Sequence, residues 1–401
     1  MFKIAKWFNN YQAPAVLMID DLSDSCIGVY CESYKNDWGY LCDKPTSSYR
    51  FLKKELLEIY PHIKITFFVP YLRHNVINEN SRYRYRKFSL GERQEYTDFL
   101  KKLDEKGYEI AHHGSNHGEY IDKNNPSTDD NWKHEWELFD DIASGMDTTL
   151  NGVKLFKDIC GIDVVGGKYC GYKTIGNSQV IIDRCNFIYW CEKINFLQND
   201  YKEKIFGPNR TVSFPTNFNG NSFVQLSYKS GKRKRDMLTR FTKFFQPIYN
   251  TLSYLKLYKL YKKGYIISIQ EHISPATSAG TVQAPNIITD IQSLKKIFGF
   301  LKNFCIWHAT CKEIGGYVFI RENCKIIDKN GKLIINFNNN KNIDNPVISI
   351  VNKKIFKLAT DRKNFLAQNH NGLYVVNLPI IDGVNIFKIE SINDTIANRE
   401  K

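Results

Sequence analysis

Long hydrophobic runs are missing from these 401 residues. No stretch approaches the roughly 20 apolar residues of a bilayer-crossing helix. The first apolar run, "AVLMI", gives way at once to Asp20 and Asp21 and is too short for a signal-peptide core. A cytoplasmic protein is expected, with the inner face of the membrane as its furthest reach. C-x-x-C pairs are also absent: the 10 cysteines are scattered, which excludes a zinc ribbon and gives no disulfide framework. They read as reduced and mostly structural. Acidic residues are in deficit, 42 against 56 basic, for a net charge of +14. The excess calls for an anionic partner without naming the anion. Helix-turn-helix, zinc-finger and RNA-binding-sheet motifs are lacking and the basic residues are mostly dispersed, so nucleic acid is not expected.

What is present is enough apolar surface to fold, with 42% hydrophobic and 14% aromatic residues. The length suits one barrel-sized domain and a smaller module. "AVLMID", "KITFFVP" and "YEIAHH" are strand-like runs separated by "SYRFLKKELLEIY" and "GERQEYTDFLKKLDEKG", whose apolar residues recur at helical spacing. "DVVGG", "FIYW", "SFVQLSY" and "YIISIQEH" extend the series. Roughly seven strands alternating with helices predict an α/β fold of the (β/α) barrel kind rather than an open sheet. After about residue 320 the pattern changes to short strands. "CKIIDKNGKLIINF" carries Asn330-Gly331 between alternating apolar runs, a strong hairpin signal. The expected domains are a barrel over residues 1–320 and a small β-rich, sandwich-like module over 321–401.

In such a barrel, chemistry gathers at the C-terminal ends of the strands. One strand ends in Asp20-Asp21, another in "HHGSNH", which contains His113 and His117, and a late one in Glu271-His272. Two histidines and one aspartate form a common catalytic zinc set that leaves a coordination position open. Strand alternation turns His112 away from His113 and Glu271 away from His272, so His112 reads as structural and Glu271 as a poor orienter of its neighbour.

"VLMIDDLSD", "HHGSNH" and "SIQEH", in this order, resemble the motifs of the polysaccharide deacetylase family, also called NodB-like or carbohydrate esterase family 4. The resemblance spans roughly residues 14–310 and implies a distorted (β/α)7 barrel. It also implies Asp20 as catalytic base, Asp21, His113 and His117 as ligands of one divalent metal ion, zinc by preference, and His272 as general acid. Gly114 departs from the family's usual Ser or Thr. The groove motif becomes "KYCGY", with Lys168 at its arginine and Cys170 at its proline, which makes Lys168 and Tyr169 candidate substrate contacts. Asp183 and Trp190 are loose counterparts of a further family motif.

The implied function is metal-dependent deacetylation of an amino sugar, by N-acetyl or other small acyl removal, during assembly of a surface glycan. A catalytically weak glycan-binding protein and a hydrolase of another bond remain the alternatives. The loop after Asp21 is long and holds Tyr30, Tyr34, Trp38 and Tyr40; its rings suit either stacking on sugar or ordinary packing, and Trp38 is the first substrate candidate. Residues 229–264 mix a basic cluster, including Lys232 to Arg235, with Phe and Tyr at near-helical spacing. They read as a barrel helix interrupted at Pro247, an interfacial helix giving peripheral membrane association, or an attractor for the phosphate of a nucleotide-linked or lipid-linked sugar.

Overall fold

The computed structural model describes residues 1–23, 47–76, 85–122, 131–194, 201–224, 235–273 and 284–391. Its main sheet has ten strands. Seven carry the argument: β1 (Ala13–Asp20), β2 (Ile65–Val69), β3 (Glu109–His112), β4 (Gly166–Lys168), β5 (Tyr189–Lys193), β6 (Thr211–Thr216) and β7 (Ile267–His272). They pair in the order β6-β5-β4-β3-β2-β1-β7, all parallel. Parallel neighbours need crossovers. Described helices lie between consecutive strands from β1 to β5, and Arg235–Lys263 leads into β7. Helix Gln94–Glu105 shows why they pack: Tyr96, Phe99, Leu100 and Leu103 recur at helical spacing and are buried.

The chain that leaves β6 continues through Asn217 into Phe218–Asn219, which pairs with β7 at the far end of the order. Asn217 secures this passage, donating from Nδ2 to the Ile266 carbonyl and accepting at Oδ1 from the Ser268 N–H. One piece of chain thus joins both ends of the strand order.

Alternation along the strands separates two cores. Ala13, Ala15, Leu17 and Ile19 of β1 join Ile267 and Ile269 of β7 against the helices, while Val16 and Met18 face a second cluster with Phe68, Ala111, Cys191 and Phe214. Helix Cys311–Asn323 closes that second cluster with Ile314, Val318 and Phe319. Thr310 caps it, accepting from the Glu313 N–H while the Glu313 carboxylate accepts from the Thr310 N–H.

Described residues beyond 323 form strands. Cys324–Lys329 and Lys332–Phe337 make the expected hairpin, with Asn330 at φ 50° and Gly331 at φ 70°, the backbone this dipeptide adopts readily. They belong to a five-stranded sheet; a four-stranded sheet beside it includes Lys3–Ile4, paired with Val347–Asn352. The N-terminal strand therefore joins the C-terminal β structure, and the 320/321 boundary falls inside helix Cys311–Asn323. Two residues at the chain start show no periodicity, so this pairing left no mark in the pattern. Pro247 does not interrupt its segment either: Arg235–Lys263 is one helix of 29 residues. The ring is exposed, and a proline so placed removes one backbone donor while buried Leu257 and Leu260 beyond it hold the helix to the body. Cys160, Cys170, Cys191, Cys311 and Cys324 are buried free thiols.

Candidate functional site

Register brings the strand ends together. His272 lies opposite Asp20, Asp20 opposite Phe68, Val69 opposite His112, and His112 opposite Gly167. Because β1 alternates, Asp20 projects on the face of Val16 and Met18 rather than into the helix layer. Asp21 follows with φ 63° and His117 with φ 73°, a conformation that costs a non-glycine residue energy and that clusters at functional sites.

These two turns and the end of β3 converge. One ligand atom each from Asp21, His113 and His117 lie within 4.8 Å of one another. Asp21 Oδ1 is 3.5 Å from His113 Nε2 and 3.6 Å from His117 Nε2. His113 Nδ1 is 3.2 Å from the Lys168 carbonyl oxygen, so that nitrogen carries the proton and Nε2 presents a lone pair toward Asp21. Burial lowers the His113 pKa, against the opposing pull of Asp20 and Asp21, and keeps the ring neutral, as a metal ligand must be. Two imidazole nitrogens and a carboxylate oxygen at this spacing fit a divalent cation with room for a further ligand.

Asp20 has a different environment although it is adjacent in sequence. Lys168 Nζ donates to its two oxygens at 2.9 and 2.6 Å, and Gln270 Nε2 donates to Oδ2 at 3.2 Å. Burial would push the Lys168 pKa down, but Asp20 reverses the sign and the net shift is upward. Across from them His272 Nδ1 is 2.7 Å from the Pro285 carbonyl oxygen, while its Nε2 is 3.8 Å from Asp20 Oδ2. The carbonyl fixes the proton on Nδ1 and aims Nε2 at the carboxylate. Tyr172 completes the wall, donating to Gln270 Oε1 at 2.9 Å.

The His113-to-His117 turn is clasped from below by Glu135, whose Oε2 accepts from Ser115 N–H and Oγ, both at 2.6 Å, and from Asn116 N–H at 3.1 Å. This carboxylate also explains Gly114. Gly114 has φ 74°, and a Cβ there would lie 2.7 Å from Cys170 Sγ and 2.9 Å from Glu135 Oε2. No larger residue fits.

Asp20, Asp21, His113, His117 and His272 thus come together. Lys168 reaches the same place but is fully buried on Asp20, a support for the carboxylate rather than an open contact. Tyr169 lies elsewhere, 2% exposed and edge-on to Trp136 and Trp190; as the extended residue just past β4 it points away from Lys168 into the aromatic core, which is no place for a substrate contact. Trp190 sits in that same core, and Asp183 is buried accepting from Thr211. His112 packs between Tyr71, Phe187 and Trp190. Trp38 and Lys232 to Lys234 lie outside the described residues. Gln270 shares the face of His272 by simple alternation and was legible in "SIQEH"; Glu135 was not, since only the tertiary fold carries it to the turn.

No family model and no curated protein sequence matches this chain. Solved structures do. One from Mycobacterium smegmatis, assigned as a polysaccharide deacetylase, aligns at 14% identity with a TM-score of 0.43, over 79% of this chain and 93% of its own. Another so assigned, from Pseudomonas aeruginosa PAO1, aligns at 12% identity and a TM-score of 0.43, over 78% and 93%. The Puue allantoinase aligns at 12% identity and a TM-score of 0.39, over 78% and 92%. The chain is similar in structure to polysaccharide deacetylases. Likeness this loose decides no chemistry, which rests on the residues described above.

Proposed function

We propose that the chain is a distant polysaccharide deacetylase, a metal-dependent hydrolase that removes an N-acetyl or other small acyl group from an amino sugar on a distorted (β/α)7 barrel. The observation that supports this reading is the separate placement of two adjacent carboxylates. Asp21 stands with His113 and His117, and Asp20 stands apart, held by Lys168 and Gln270 and faced by His272. Asp21, His113 and His117 would hold a divalent cation, which when bound would acidify a water and polarise the acyl carbonyl. Asp20 accepts the proton of the attacking water as the oxygen–carbon bond forms. Lys168 keeps that carboxylate in place through its two hydrogen bonds. His272, with Nδ1 tied to Pro285, delivers a proton from Nε2 to the leaving nitrogen as the carbon–nitrogen bond breaks. The excess of basic residues favours an anionic substrate, which a nucleotide-linked or lipid-linked sugar in cytoplasmic glycan assembly provides.

The test is mass spectrometry of a panel of nucleotide-linked and lipid-linked N-acetyl sugars incubated with the zinc-loaded protein. Loss of one acetyl group from a member of the panel is expected. Asp20→Asn should abolish that loss, by roughly a hundredfold or more, while retaining its metal; His117→Ala should lose both. Full metal occupancy in His117→Ala, or turnover by Asp20→Asn, would overturn the assignment.

A further inference from the structure

Independently of any hydrolytic activity, we propose that the outward face of helix Arg235–Lys263 is a docking surface for an anionic lipid bilayer. The inward face of this helix is accounted for. Leu257 and Leu260 are buried, Tyr254 and Tyr261 pack on Phe300 and Phe304, and Ser253 donates to the Ser222 carbonyl. The opposite face is also apolar. Ile248, Leu252 and Leu255 are 53%, 59% and 57% exposed, and their spacing of four and three residues sets them in one stripe. A stripe of large aliphatic side chains in water is the feature that marks an interaction surface, whereas scattered ones are ordinary.

Charge identifies the partner. Of the 35 residues from 229 to 263, 11 are lysine or arginine and only Asp236 is acidic. Lys259 and Lys262 are exposed and extend the helix just beyond the stripe. Leu255 also borders a groove lined by Lys256, Lys259, Tyr201 and Tyr265; Lys259 Nζ lies 5.9 Å from the Tyr201 ring centre, so the groove presents a cation beside an aromatic ring at the end of the apolar stripe. Aliphatic residues flanked by lysine with aromatic rings nearby are the composition of an interfacial helix, in which the apolar side enters the acyl boundary and the cations meet lipid phosphates. A second copy of the helix is the competing occupant, since the spacing also suits helix pairing. Such a pair would bring two cationic segments together with Asp236 as their sole acidic residue, a repulsion that an anionic surface turns into attraction. No helix among the described residues is long and apolar enough to cross a membrane, so the helix would lie on the surface.

The experiment is co-sedimentation of the full chain with vesicles of phosphatidylcholine containing phosphatidylglycerol and with vesicles of phosphatidylcholine alone. Binding to the anionic vesicles is expected, falling steeply as salt rises from about 0.1 to 0.5 M, and weak on the neutral ones. Leu252→Ser with Leu255→Ser should weaken it by roughly tenfold or more. Lys259→Gln with Lys262→Gln should weaken it by roughly 25-fold, about fivefold for each lysine, and serves alone if the leucine variant misfolds. Failure to bind anionic vesicles overturns the proposal, as does binding that survives both variants. Concentration-dependent self-association abolished by the leucine variant, without vesicle binding, would give the face to a second copy.

Discussion

Asp20 and Asp21 are the same residue type one position apart, and what separates their proposed duties is the backbone between them. Asp20 ends β1 in extended conformation and takes the direction of its strand, whereas the φ of 63° at Asp21 swings the next carboxylate toward His113 and His117. His272 faces this pair from the neighbouring strand, and its duty can be separated from theirs. An amine leaves poorly unless protonated, while the leaving group of an activated ester needs no donor. His272→Ala is therefore expected to retain its metal and lose at least about a hundredfold in amide turnover, with a much smaller loss on an activated acetyl ester. Equal losses on both substrates would make His272 a positioning residue, and loss of metal would make it a ligand. At this scale the sequence was most legible: the five residues that meet were marked by their places at strand ends. Lys168 and Tyr169 were flagged together from "KYCGY", but Lys168 ends β4 and Tyr169 is the extended residue that follows it, so successive side chains point to opposite sides, Lys168 to Asp20 and Tyr169 to Trp136.

Strands hold these residues in register, and β4 does so under the tightest constraint. Tyr189 and Trp190 of β5 lean over Gly166 and Gly167, and a Cβ on Gly167 would lie 2.4 Å from the Trp190 ring and 2.7 Å from the His112 carbonyl oxygen. The carbonyl belongs to the β3 backbone and cannot step aside. Gly167→Ala is expected to destabilise the protein by about 1–3 kcal/mol through overpacking, read as a lower urea midpoint with an unchanged slope. Because Lys168 follows on the same strand, displaced β4 also carries Nζ off Asp20, so turnover should fall in the fraction that remains folded. Unchanged stability would mean that the sheet opens more easily than this packing implies. The glycines were visible in "DVVGG", but that they make room for two rings was not, since the rings come from a strand about twenty residues later. The alternation was readable at Ala13–Asp20, Ile65–Val69 and Glu109–His112 because local periodicity encodes it, whereas "SFVQLSY", expected as a strand, begins in the helical turn Gly220–Phe223 and the strand of that region is Thr211–Thr216. The union of Lys3–Ile4 with Val347–Asn352 was not, because it is set by contacts hundreds of residues apart.

Across the whole molecule three buried carboxyl groups, Glu109, Glu135 and Glu271, act in one direction on stability. Glu109 on β3 is fully enclosed between sheet and helix Cys311–Asn323, accepting from Thr66, Tyr189 and the Lys312 N–H at 2.7–2.8 Å. Burial pushes its pKa up from 4.5 to about 7, with those hydrogen bonds opposing. Burial also raises Glu135 and Glu271. For a carboxyl whose folded pKa lies above its unfolded one, the folded state holds the proton longer, so its stabilising contribution is complete below the unfolded value and is lost as pH rises through the folded value. For Glu109 that window runs from about 4.5 to about 7, and the shift corresponds to about 3 kcal/mol. The basic excess works the other way, since protonating surface carboxylates adds to the +14 and raises self-repulsion as pH falls. That second effect is common to wild type and Glu109→Gln, which keeps the side-chain shape and removes the titration. Urea unfolding at pH 5 and pH 8, with chelator present so that ligand protonation does not enter, should show wild type losing stability relative to Glu109→Gln as pH rises. Parallel behaviour of the two proteins would show that Glu109 ionises without cost, and that water reaches the space between the sheet and helix Cys311–Asn323.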